Sequence, residues 1–585
     1  MIDKISVSVD KKQYSPKHSS SQPSFKGFGD VAMKFIQACE KEPMVNVSVL
    51  DLSTAIIPRT IVETVVVPEQ KDENGNKKKK QLNFFAGFEA LRREGSGLIV
   101  NCIIPSFIVM GAAKLLQKPL LKGEFKNADF VHNWSNTDAL KKIQTFYSET
   151  DASAPIEKRV EQTFRNMLNN LEGLDGTEVK SFDKLLGKDK KSYEDIITRL
   201  KNLTTAKDFD KKELKAIYEK IAEKTHITEN IRFKNDNGKY FANNLQSLCD
   251  DVVKTLRGVY RENITDPSVL TEYFKKAGKM VNAKSLTGLA VILPLAIYMQ
   301  PINRWITWKL SGRKGAPMSA DFQNKQDAVL SKEEKAKLLK QKFVSIGSMI
   351  GLSMLSIMKM PSLGMLKDIV QFKGIFPSMD QARLISTATF ASRMGASEDT
   401  NELRESTIRD LATFSSFYFL GDYAAKGIAS GIETYYDKKA VKAGDDSLRV
   451  TLLNRHKVLD KDANALKKFW NWVKHTSLKS TDELATHSGK VLRTYCQLGN
   501  LAFSLLSLGL FIPLYTRTQT NKKEQAKLAK MNAENSFQSP ADAVTEMSAA
   551  SSGSDTMTGF GQNNLKTLQG TKPPAFEAFI NSQRK

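Results

Sequence analysis

A chain of 585 residues is too long for one compact core and must divide into several modules. Charged residues make up 26% of it, so most of its length faces water and its apolar runs are islands. Lys and Arg number 87 against 64 Asp and Glu, a net charge of +23 that draws the chain toward anionic lipid or nucleic acid. The basic residues are spread out, the one dense cluster being Lys77 to Lys80. No helix-turn-helix, zinc-finger or RNP-like string accompanies them, which disfavours nucleic acid.

Residues 1–42 read as a polar tail without the apolar centre of a cleavable signal, so insertion would use an internal span and leave the N-terminus in the cytoplasm. The tail holds Phe25 and Phe28 in a Pro-x-Phe-x-x-Phe string that recurs at Phe576 and Phe579 in the polar 517–585 tail. Two such aromatic pairs could be docking peptides for one partner groove. Residues 45–67, rich in Val, Ile and Thr, carry the chain's main β signal, limited by Pro58 and Pro68 to short or edge strands. Phe84, Phe85, Phe88 and Leu91 then form an apolar stripe ending at Arg92 and Arg93. This suits a helix lying in the headgroup layer against anionic lipid.

The first span is expected at 95–116, with Pro105 inside it. Residues 117–284 repeat apolar positions at helical spacing. One stripe runs through Ile156, Val160, Phe164, Met167 and Leu171; a second runs through Leu245, Leu248, Val252, Leu256 and Val259. A helical bundle outside the membrane follows. The second span, 285–303, ends in Arg304, with Trp305 and Trp308 where an interfacial anchor belongs.

A basic stretch, 304–342, precedes a third span at 343–360, a helical connection at 361–410, and a fourth span at 411–432 that Asp422 and Lys426 interrupt. That pair is four residues apart, so it shares a helix face and either lines a polar path or is a solvated pair. Gly347 with Gly351, and Gly427 with Gly431, have the small-xxx-small spacing that brings helices close. Ser331 with Glu334 and Ser480 with Glu483 mark capping boxes ahead of the third and fifth spans. The fifth, 494–516, is an uncharged run of residues long enough to cross the roughly 30 Å bilayer core. Five spans threaded by the positive-inside rule put the basic 304–342 stretch inside and the C-terminus outside.

The expected fold class is therefore mainly α: a multi-pass helical membrane protein with a helical extramembrane bundle, disordered termini and minor β near 45–67. Catalytic, metal and cofactor signatures are missing from the sequence: His18, His132, His226, His456, His475 and His487 are scattered, and there is no phosphate-binding glycine loop or nucleophile elbow. The four cysteines build no disulfide framework or metal pair. The role read from the residues is a membrane scaffold or assembly protein with protein partners not identified. A transporter or channel-like protein working through Asp422 and Lys426 and requiring a homo-oligomer is the first alternative, and a soluble basic helical protein the second.

Overall fold

The computed structural model describes residues 43–519, less 67–81, 133–136, 176–177, 229–230, 235–243, 312–330, 358–369, 373–376, 456–463 and 485, with a few isolated residues beside it. The aromatic pairs at Phe25, Phe28, Phe576 and Phe579, and the Lys77 to Lys80 cluster, lie outside the described residues. What is described is mostly helical.

Helix α1 (Met44–Val65) replaces the strand expected at 45–67. β-branched residues lower helix propensity by only a few tenths of a kcal/mol each, which packing overrides. Their hydroxyls also find partners inside the helix: Thr54, Thr60 and Thr64 donate to the carbonyls of Leu50, Ile56 and Thr60 at 2.7–2.8 Å. Helix α2 (Phe84–Leu121) is capped by Asn83, whose Oδ1 accepts from Ala86 N at 3.0 Å, and it ends at Lys122 in the left-handed region. Its 38 residues reach about 57 Å. The Phe84, Phe88 and Leu91 stripe is thus the first stretch of the same rod that carries the first span, not a separate surface helix.

Residues 122–265 carry α3 (Thr137–Ser148), α4 (Ile156–Asn170), β1 (Leu171–Asp175), β2 (Glu178–Ser181), α5 (Phe182–Leu186), α6 (Lys190–Thr205), α7 (Lys211–Thr225), β3 (Ile231–Phe233) and α8 (Leu245–Arg261). The apolar stripes point inward as their spacing requires, with Val160, Phe164, Met167, Val252 and Leu256 buried. The strands form an antiparallel sheet in the order β2-β1-β3, with Glu172 opposite Ser181 and Gly173 opposite Ile231. Their Leu-Glu-Gly-Leu-Asp type of sequence shows no alternation from which a sheet could be read. The core is shared: Leu121 of α2 and Tyr273, Phe274 and Met280 of α9 (Pro267–Ser311) belong to it.

Helix α9 runs from this domain back along α2, close enough that a Cβ on Gly288 would lie 2.7 Å from Val109 Cγ2. Arg304 near its end marks what we call the charged end. Helix α10 (Lys332–Ile357) starts there, Lys342 Nζ donating to the Gly395 carbonyl at 2.8 Å. Helix α11 (Met379–Gly395) starts at the domain end, behind a capping box of Ser378 and Gln381; Gln381 Nε2 reaches the Val370 carbonyl, and next to it Phe372 N donates to Ser285 Oγ. Helix α12 (residues 400–443) rises from its cap Asp399 through Asp410 to Glu433 at the domain end, where Glu433 accepts from Leu452 N and Leu453 N. There β4 (Leu453–Arg455) pairs antiparallel with β5 (Thr476–Leu478), following α13 (Ala465–His475). Helix α14 (His487–Gln519) descends to Arg517. Ser480 and Glu483 do form a capping box, but on a 3-10 turn, Thr481–Glu483; α14 begins later, at His487, capped by Thr486.

Four passes, α10, α11, α12 and α14, separate Arg304 from Arg517, so both lie at the charged end. The expected threading counted three and put the C-terminal side of the last run opposite Arg304. The helix it lacks is α11, which holds Asp380, Arg383 and Arg393 and so carries no apolar run. Among the described residues, the helices long and apolar enough to cross a membrane are α1, α2, α9 and α14. The runs within α10 and α12, read as third and fourth spans, are not among them.

Three of these passes contain a π-helical stretch ending two residues before a proline: Asp51–Ile56 before Pro58, Ile99–Ile103 before Pro105, and Leu505–Phe511 before Pro513. Proline donates no hydrogen bond and its ring crowds the carbonyl one turn back, and a widened turn relieves both. The π stretch in α12, Ser416–Leu420, has no such proline; there Gly421 sits so close to Asn500 that a Cβ would meet its Oδ1 at 2.2 Å.

Candidate charge-lined site

At the charged end, α1, α2, α9, α11, α12 and α14 bring ionisable side chains into one buried cluster. Glu94, the residue before the first apolar run, is its centre. Its Oε1 lies 3.1 Å from Arg59 Nη1 and its Oε2 accepts from Arg393 Nη2 at 3.0 Å. Arg393 Nη1 also donates to Asp410 Oδ1 at 2.9 Å, and Arg409 Nε to the same oxygen at 3.0 Å. Asp410 is only 1% exposed. Arg304 pairs closely with Glu402, and Arg517 Nη1 lies 3.5 Å from Glu63 Oε2.

Buried pairs of this kind add little net stability, but removing one partner strands the other. The cluster therefore fixes where the helices cross. Gly509 completes the crossing of α14 with α1: a Cβ there would lie 2.7 Å from the Thr54 carbonyl and 2.9 Å from Pro58 Cβ.

Two cavities flank the cluster. The first, about 70 Å³, has Asp51, Glu94, Asn101 and Asp410 on a wall completed by Met44, Leu98, Cys102, Phe390, Tyr418 and Leu508. The second, about 60 Å³, adds Arg93, Gln300, Arg304 and Arg517. Arg59, Glu63, Arg393 and Arg409 border both. Each has space for a few waters or one small ligand. Among the described residues no group of three or more His, Cys, Asp or Glu gathers at a metal-sized site.

The candidates read from the sequence fare differently. Lys426 Nζ and Asp422 Oδ2 pair at 2.6 Å, but the Asp422 side chain is 50% exposed and neither residue borders a cavity named above. Among the described residues, a Cβ on Gly347, Gly351, Gly427 or Gly431 would meet nothing within 4 Å, whereas one on Gly87, Gly288, Gly421, Gly499 or Gly509 would meet a neighbouring helix. Arg92 is engaged within the bundle: its Nη1 donates to Asn303 Oδ1 at 2.8 Å and its Nη2 to Glu89 Oε1 at 2.6 Å. Arg93 borders the second cavity, while Trp305 and Trp308 remain exposed beside Arg304.

The sequence did hold a signal for the cluster. Glu94, Arg304 and Arg517 are each the first charged residue beyond an apolar run, and all three lie at one end of the bundle. Asp410 adjoins the 411–432 run in the same way, while Arg59 and Arg393 gave none. No protein-family model, curated protein or solved structure matches this chain.

Proposed function

We propose that this chain is a multi-pass integral membrane scaffold that holds residues 122–265 rigidly at one bilayer face and a charged plate of helix ends at the other. The carrying observation is the outer face of α14. Leu506, Leu510, Phe511 and Leu514 are exposed, Phe511 at 68%, while only Leu508 and Gly509 of its π stretch are buried. Exposed Phe107 on α2, Leu286, Val291 and Tyr298 on α9, and Ile57 and Ile61 on α1 extend that face, and an apolar surface of this extent is stable in lipid rather than water.

With the basic 304–342 stretch on the cytoplasmic side, the charged end is cytoplasmic and the domain lies across the membrane. Helix α1 then starts on the domain's side, opposite to the threading read from the sequence. The open faces at Gly347, Gly351, Gly427 and Gly431 suit contact with a second copy or another span. Carbonate extraction of membranes should leave the protein in the pellet; release into the supernatant would overturn the proposal.

A second reading, a carrier, draws on the first cavity rather than on Asp422 and Lys426. Its test is solute flux in proteoliposomes: loss of flux in Asp410→Asn with Asp422→Asn unaffected would favour a carrier over a scaffold.

A further inference from the structure

The two cavities differ in which polar atoms are left unmatched. Of the buried side-chain atoms without a hydrogen-bond partner among the described residues, Glu94 Oε1, Asp410 Oδ2 and Arg393 Nε belong to residues of the first cavity, two acceptors beside one donor. Around the second, the atoms without a hydrogen bond are all donors: Gln300 Nε2, Arg393 Nε, both Nε and Nη2 of Arg517, and Arg304 Nη1, which lies 3.6 Å from Glu398 Oε1. Arg517 is 3% exposed, and its contact with Glu63 uses Nη1 alone. Nε and Nη2 form one of the two edges by which a guanidinium grips an oxyanion through two parallel hydrogen bonds, and it is the edge that the Glu63 contact leaves open.

Arginines outnumber glutamates six to four in the cavity's lining. All four glutamates there are already engaged: Glu63 by Arg59 and Arg517, Glu402 by Arg304, Glu89 by Arg92, and Glu405 by Arg59. Arg93 completes no ion pair with a carboxylate among the described residues. Leaving several guanidinium donors buried and unmatched is costly, and an anion of matching geometry relieves it. We propose that the second cavity is a binding site for a phosphate-class oxyanion, held along the free edge of Arg517 with Arg304 and Arg393 beside it.

A free phosphate and a phospholipid headgroup share this chemistry, because the cavity lies level with the ends of the apolar runs. The experiment uses the full chain in nanodiscs of phosphatidylcholine alone, titrated with radiolabelled inorganic phosphate at constant ionic strength. In a parallel arm, phosphatidic acid is added to the nanodiscs and the retained lipid is read by native mass spectrometry. Saturable phosphate binding in the first arm, weakened roughly tenfold by Arg517→Gln, identifies a free anion. Retention of phosphatidic acid without phosphate binding, again lost in Arg517→Gln, identifies the headgroup. Binding in neither arm by the unaltered chain overturns the proposal, as does binding that persists in both Arg517→Gln and Arg304→Gln. Arg517→Lys, which keeps the charge but not the two-pronged edge, serves if the Gln variant fails to fold, and weakening is expected there too. The phosphate arm stands even if carbonate extraction removes the protein from membranes, so the two proposals fail separately.

Discussion

At the scale of single residues, the cluster separates charges that matter to the fold from charges that only look unusual in the sequence. Removing Glu94 strands Arg59 and Arg393 together, so Glu94→Ala should cost about 3–5 kcal/mol and lower the thermal midpoint in detergent by several degrees. Asp422→Asn, by contrast, should cost clearly less than Glu94→Ala, since it strands one buried cation, Lys426, rather than two, and half of the Asp422 side chain faces outward. Equal losses from the two would contradict the assignment. Glycines divide in the same way. Gly509→Leu must push α14 off α1 and should destabilise the monomer strongly, whereas Gly347→Leu and Gly431→Leu meet open space and should leave its thermal midpoint unchanged. Spacing alone pointed to Gly347 and Gly431, because a small-xxx-small pattern says that two helices can approach but not that a partner is there.

At the scale of elements, periodicity was informative wherever one face of a helix meets a water-excluded core. The α4 and α8 stripes were readable in this way, and Val160, Phe164, Val252 and Leu256 are where the spacing puts them. Cys249, within the α8 stripe, gives a direct check. Burial in the core pushes its thiol pKa up to about 12, above the ordinary value of 9 for a free thiol. Alkylation requires the thiolate, so in native protein its rate should keep rising about tenfold per pH unit beyond pH 9, where an exposed thiol levels off. A plateau near pH 9 without unfolding would show that α8 is packed otherwise. Helix α1 was not readable as a helix, because valine, isoleucine and threonine suit a strand in water. The same residues make a helix when serine and threonine hydroxyls bond back to carbonyls one turn earlier. Helix α11 was read only as part of a helical connection, not as a member of the bundle, for the opposite reason: its polar side chains are matched by Glu94, Asp410 and Tyr418 on neighbouring helices, contacts that no local pattern records.

At the scale of the whole molecule, the alternation of passes makes a topological claim. Epitope tags within 312–330 and after residue 519 should be protected or accessible together, and a tag beside Lys188, in the loop before α6, should behave oppositely. Finding the 312–330 and C-terminal tags on different sides would remove α11 from the bundle. Legible in the sequence at this scale were the predominance of helix and the long apolar runs. Hidden was the convergence of Arg59, Glu94, Arg304, Arg393, Asp410 and Arg517, residues hundreds of positions apart that only the packed bundle juxtaposes.

Helices α2 and α9 enter the core of residues 122–265 without any break, contributing Leu121 from one and Tyr273 and Phe274 from the other. No swivel joins head to stem. Under the proposed membrane placement, whatever leans the stem must lean the head by an equal angle, so a binder on the head would sense bilayer thickness or crowding as a change in its own approach direction.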